Sequence, residues 1–167
     1  MEEFGGRTGK EFEERGSFGK FRILRTPSGL VTSLFANSTI EEVVMGNLTK
    51  VLESVVISGG ASGCAIFLTR RKDDYYLGHS DGENFSGEQR ANIRTSDLIL
   101  VGGSKKATDV IGSLGGNIQY IDNPNETEPE LLTEPDIFLS VAIAPRGMGR
   151  LRTGPLMLFE WTMTEAD

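Results

Sequence analysis

Two glycine-bearing basic segments carry the residues best suited to holding an anion. The stretch "LILVGGSKKATDVIGSLGGNIQYID" runs from 98 to 122 and reads as strand, glycine pair, helix, glycine pair and strand. Gly102 and Gly103 allow close backbone approach, and Ser104 is a natural N-cap for the helix whose buried stripe is Ala107, Val110, Ile111 and Leu114. A helix N-terminus offers free N–H groups and partial positive charge, which suit phosphate or carboxylate. Lys105 and Lys106 oppose that dipole at ~0.3–1 kcal/mol each when unpaired, and a bound anion would offset the cost. The loop matches neither G-x-x-x-x-G-K-[ST] nor G-x-G-x-x-G, and turn and cap geometry alone accounts for its glycines and serine. The second segment, "PRGMGRLRTG", places Arg146, Arg150 and Arg152 among three glycines. Guanidinium forks bind carboxylate and phosphate bidentately. Set beside Lys105 and Lys106, they would form a pocket of nucleotide size. Adjacency is a tertiary property that the sequence leaves open.

Other chemistry rests on single residues. His79, Asp81 and Glu83 in "HSDGE" would share one face of an extended strand and could then hold a divalent cation. Gly82 and Ser80 favour a turn that scatters them, so no metal site is expected. His79 is the sole histidine, and any imidazole-based mechanism must use it. Cys64 is the sole cysteine, which excludes an internal disulfide and a cysteine-rich zinc site. As a nucleophile it would need a base within hydrogen-bond reach, and His79 is the only imidazole available. "GASGC" lacks the spacing of the G-x-S-x-G elbow. A small buried thiol at the start of a strand is the expected role.

The elements that must position these residues fall in one domain of 167 residues. Residues 1–20 read as an extended glycine-rich arm, whose Phe4, Phe12 and Phe18 follow no strand or helix period and are expected to dock on a neighbouring subunit. Residues 21–167 read as a single globular domain. "FRILRT" and "GLVTSLFA" are strand-like runs separated by "PSG". Residues 39–57 read as the clearest helix, with Ile40, Val43, Val44, Leu48, Val51, Leu52 and Val55 at helical spacing and Gly59-Gly60 as its stop. "GCAIFLT" is a strand covered on both faces, and "RRKDDYYLGH" is its hairpin return. Residues 80–96 read as irregular, with one helical turn near "GEQRAN". "DIFLSVAIAP" and "GPLMLFEWTM" are two strands, with Met157, Phe159, Trp161 and Met163 as packing residues. The fold class is therefore α+β: a mixed, largely antiparallel sheet with about two main helices, one β-α-β crossover over 98–122 and the N-terminal arm.

The charge bounds the partners. The net charge is −7, but six acidic and no basic residues lie between Asp122 and Asp136, so the remainder sums to −1. No contiguous basic footprint supports general nucleic-acid binding. No apolar run suits a membrane span or a signal peptide, and a cytoplasmic location is expected. No cofactor is implied. The favoured reading is a non-enzymatic, self-associating structural protein, for instance a viral subunit, using the arm and the complementary charged loops. The alternative is a binder of, or an enzyme acting on, an anionic nucleotide-like small molecule held by residues 102–106 and the 146–152 arginine loop.

Overall fold

A computed structural model describes residues 12–18, 21–27, 29–30, 33, 35–124, 137–144 and 156–164. Its strands are β1 (Glu13–Phe18), β2 (Phe21–Arg25), β3 (Ile40–Glu42), β4 (Leu48–Lys50), β5 (Val55–Ala61), β6 (Ala65–Arg71), β7 (Asp74–Ser80), β8 (Leu98–Gly103), β9 (Ile118–Asp122), β10 (Ile137–Ala144) and β11 (Leu156–Thr164). Two nine-residue helices, α1 (Gly87–Thr95) and α2 (Lys105–Ser113), flank β8 in sequence.

The strands form two sheets, one ordered β1-β2-β11-β10-β5-β3 and the other β4-β7-β6-β8-β9. Most pairings are antiparallel, while β2–β11, β3–β5 and β8–β9 are parallel. The fold is α+β, and the β8-α2-β9 crossover lies where the glycine spacing places it. Side-chain alternation sorts every long strand between two layers. Ile23, Val56, Ile66, Leu68, Leu77, Leu100, Leu139, Val141 and Leu158 fill the space between the sheets. Phe67, Ile99 and Val101 face outward from the second sheet and are covered by Ile93 of α1 and by Ala107 and Ile111 of α2. Met157, Phe159 and Trp161 face outward from the first sheet and pack beneath Phe35 and Phe12.

Three expectations are corrected. Residues 39–57 form no long helix; they hold β3, β4 and the start of β5. Val44 and Leu52, assigned to the buried stripe, are exposed. Helical spacing was satisfied by chance in a valine-rich segment, whose β-branched side chains favour strands, and Gly46 at φ +94° turns the chain between β3 and β4. Gly59-Gly60 lies within β5, where the register against β10 shifts. The run "GLVTSLFA" is no strand in its described part: residues 29–30 and 33 are helical and 35–37 form a turn. Residues 87–95, read as mostly irregular, form the whole of α1, started by a capping box between Ser86 and Gln89.

Part of the segment read as an arm is β1, which pairs with β2 at the edge of the first sheet. Phe18 meets Tyr120 edge-on, and Phe12 meets Phe159 in the same way, both within the chain. Phe4 lies outside the described residues.

Candidate functional site

The chain crosses from one sheet to the other between β5 and β6, and the turn Ser62–Gly63–Cys64 makes that corner. Three inward positions converge there. Ser58 follows Val56 on the inner face of β5, Cys64 precedes Ile66 on that of β6, and His79 follows Leu77 on that of β7. His79 pairs with Ile66 across the β6–β7 hairpin, which brings the imidazole beside the start of β6.

The contacts form a directed chain. Cys64 Sγ lies 3.0 Å from His79 Nε2, and Ser58 Oγ lies 2.8 Å from His79 Nδ1. The Ser58 hydroxyl donates to the Val43 carbonyl at 2.6 Å. A hydroxyl has one proton, so Ser58 Oγ meets the imidazole as an acceptor, and Nδ1 carries the ring hydrogen. Nε2 is thereby left with its lone pair toward the thiol. This is the tautomer a general base requires.

Burial sets the resting protonation. Ser58, His79 and Cys64 are 0%, 5% and 7% exposed. Desolvation lowers the His79 pKa and raises that of Cys64, so the pair rests as neutral imidazole and neutral thiol. The backbone N–H groups of Ser62 and Cys64 oppose the rise by favouring thiolate, while the Asp81 charge adds to it. The rim is largely backbone: Gly59, Gly60 and Gly63 are exposed, and a side chain at Gly60 or Gly63 would project into open space.

The glycine loop at 102–104 stands directly behind the cysteine. Ser104 N–H donates to the Cys64 carbonyl at 2.9 Å. Gly103 has φ +127°, and a Cβ there would strike the same carbonyl. Ser104 caps α2 by accepting from Ala107 N–H at 3.0 Å. Lys105 pairs with Asp109 at 3.0 Å and Lys106 with Glu83 at 2.6 Å, so carboxylates of the chain already meet both charges. Arg146, Arg150 and Arg152 lie outside the described residues.

The three residues of "HSDGE" diverge. His79 faces the thiol, Asp81 Oδ1 accepts from the N–H groups of Glu83 and Asn84, and Glu83 holds Lys106. Among the described residues no cluster of three metal-ligating side chains occurs.

Sequence reasoning isolated Cys64 and named His79 as its only conceivable imidazole partner, but missed Ser58. Its signal was strand parity with Val56, which a helical reading of residues 39–57 concealed.

No protein-family model and no curated protein sequence matches the chain. Among solved structures it is similar to the crystal structure of the C-terminal domain of CNFy from Yersinia pseudotuberculosis. The identity is 9% and the TM-score 0.38, over 90% of this chain and 60% of that chain. A likeness at this level establishes neither a common fold nor a common activity.

Proposed function

We propose that this protein is a cysteine-dependent acyl-transfer enzyme, acting on the carbonyl of an amide or ester. The observation that carries the reading is the Ser58–His79–Cys64 relay, with Sγ 3.0 Å from Nε2 and the opposite ring nitrogen held by a buried hydroxyl. Nucleophile, base and a third group that orients the base are the parts that nucleophilic catalysis needs.

The roles follow from the geometry. As substrate approaches, Nε2 takes the S–H proton and the sulfur attacks the carbonyl carbon. The Ser58 oxygen steadies the imidazolium through Nδ1–H. We assign the N–H groups of Ser62 and Cys64, which favour negative charge on the sulfur, as donors to the oxyanion that develops. Collapse of the tetrahedral adduct transfers the Nε2 proton to the leaving amine or alcohol and leaves a thioester. A water molecule, deprotonated by the same nitrogen, then releases the acid and restores the thiol.

p-Nitrophenyl acetate tests this reading. The wild type is expected to show a burst of nitrophenolate with one acetyl group on Cys64, identified by mass. Cys64→Ala should abolish the burst, and His79→Ala should slow it by roughly 10²–10⁴-fold. A wild type that acylates no faster than a free thiol would overturn the proposal in favour of a packed, inert cysteine.

A further inference from the structure

We propose that Gln89 is a positioning residue of the thiol–imidazole pair, holding the His79 main chain where Nε2 meets the sulfur. The inference rests on the acyl-transfer reading and names a residue that acts through the base. Gln89 is 0% exposed, and its amide reaches from α1 to the end of β7. Nε2 of Gln89 donates to the His79 carbonyl at 3.0 Å and to the Asn47 carbonyl at 3.1 Å. Its Oε1 accepts from Ser86 N–H at 3.0 Å, so every polar group of the amide is engaged.

The two carbonyls belong to one clamp around the base. His79 N–H donates to the Asn47 carbonyl at 3.2 Å, and Gly46 N–H donates to the His79 carbonyl at 2.6 Å. The Val43 carbonyl, four residues before Asn47, fixes the Ser58 hydroxyl that orients the ring. Residues 43–47 therefore grip His79 at both main-chain groups and, through Ser58, at the ring. Gln89 staples that segment to the histidine.

Helix capping alone does not require an amide here. At the third position of a capping box, glutamate accepts the N-cap hydrogen bond as well as glutamine does. A carboxylate, however, has no hydrogen for the two buried carbonyls. The amide is thus matched to the clamp.

His79 is the sole histidine, so imidazole-nitrogen NMR of the full chain reports on it alone, and the acetyl group that p-nitrophenyl acetate leaves on Cys64, the sole cysteine, is located by mass. Gln89→Met should slow acylation roughly tenfold or more, since small misplacements of reacting groups are costly. It should also turn the His79 spectrum from a single Nδ1–H tautomer into an averaged one. Ser86→Ala weakens the cap but leaves both Gln89 donors; it should melt earlier yet keep acylation within about twofold of wild type. Should Gln89→Met not fold, Gln89→Glu, which keeps the cap and loses the donors, is read in its place. Wild-type acylation with an unchanged imidazole spectrum in a folded Gln89 variant would overturn the proposal. So would equal losses in Ser86→Ala and the Gln89 variant, or failure of both Gln89 variants to fold. If the wild type itself does not acylate, the enzymatic reading fails, and the tautomer measurement still decides whether Gln89 places the ring.

Discussion

A single hydroxyl proton decides the chemistry of the candidate site. Because Ser58 spends it on the Val43 carbonyl, the ring hydrogen of His79 belongs on Nδ1 and the lone pair on Nε2. Ser58→Ala removes the acceptor without touching the thiol. Acylation should fall by about 10–100-fold, less than for His79→Ala, because the base remains but loses its fixed tautomer. The same burial predicts an unusual pH profile. Desolvation keeps His79 neutral below its ordinary range near 6.5 and holds Cys64 protonated above the ordinary thiol range. Base-assisted acylation should thus persist into mildly acidic solution, while alkylation by iodoacetamide, which needs thiolate, should rise only in alkaline solution. Stopped-flow rates across pH check both limbs. Coincident limbs near an ordinary thiol midpoint would show that His79 does not serve as the base.

At the scale of elements, the β8–α2 turn stands as a backstop for Cys64. Its glycine pair, its serine cap and the crossover were legible in residues 98–122, since each follows from local backbone geometry. That the turn presses on Cys64 was not legible, because the Ser104–Cys64 contact joins residues 40 apart in the chain. Gly103→Ala is expected to cost about 1–3 kcal/mol in urea denaturation, as a side chain at φ +127° collides with the Cys64 carbonyl. The folded fraction should also acylate more slowly, because the collision displaces the cysteine itself. A variant as stable and active as wild type would remove the backstop. The misread segment 39–57 carries the converse lesson. Apolar spacing there fits a helix, yet short strands broken at Gly46 satisfy the tertiary partners β5 and β7.

Across the whole molecule, a buried charge cluster closes the seam between the sheets. Arg25 of β2 bonds both Asp122 of β9 and Glu160 of β11, and Tyr120 donates to Glu160 at 2.8 Å. Arg15 of β1 adds a second positive charge nearby. Desolvation and the neighbouring Asp122 push the Glu160 pKa up to about 7, against the favourable charge of Arg25. The folded state therefore holds a proton that the unfolded chain has lost between about 4.5 and about 7. Over that window the folded state binds more protons, so this group's contribution to stability falls as pH rises. Glu160→Gln should gain stability relative to wild type from pH 5 to pH 7 and level off above, in paired thermal melts. A difference that does not change with pH would show that Glu160 stays ionised throughout. Self-association, expected from the arm and the charged loops, is a separate property of the whole chain. Light scattering with and without residues 1–20 addresses it, and monomers in both would end that expectation.

The sequence by itself determined the α+β class, the β6–β7 hairpin, the β8-α2-β9 crossover and the last two strands, β10 and β11. These elements rest on period-2 alternation, glycine and proline breaks and a serine cap, all of which act within a few residues. It also limited any thiol chemistry to Cys64 and any imidazole to His79. Only the tertiary structure brought these two together, set the Ser58 hydroxyl against the ring and placed Gln89 and Gly103 at the main chains of His79 and Cys64. Those contacts cross between strands and sheets, where register and side-chain parity choose the partners. Parity is readable only once the strands are known.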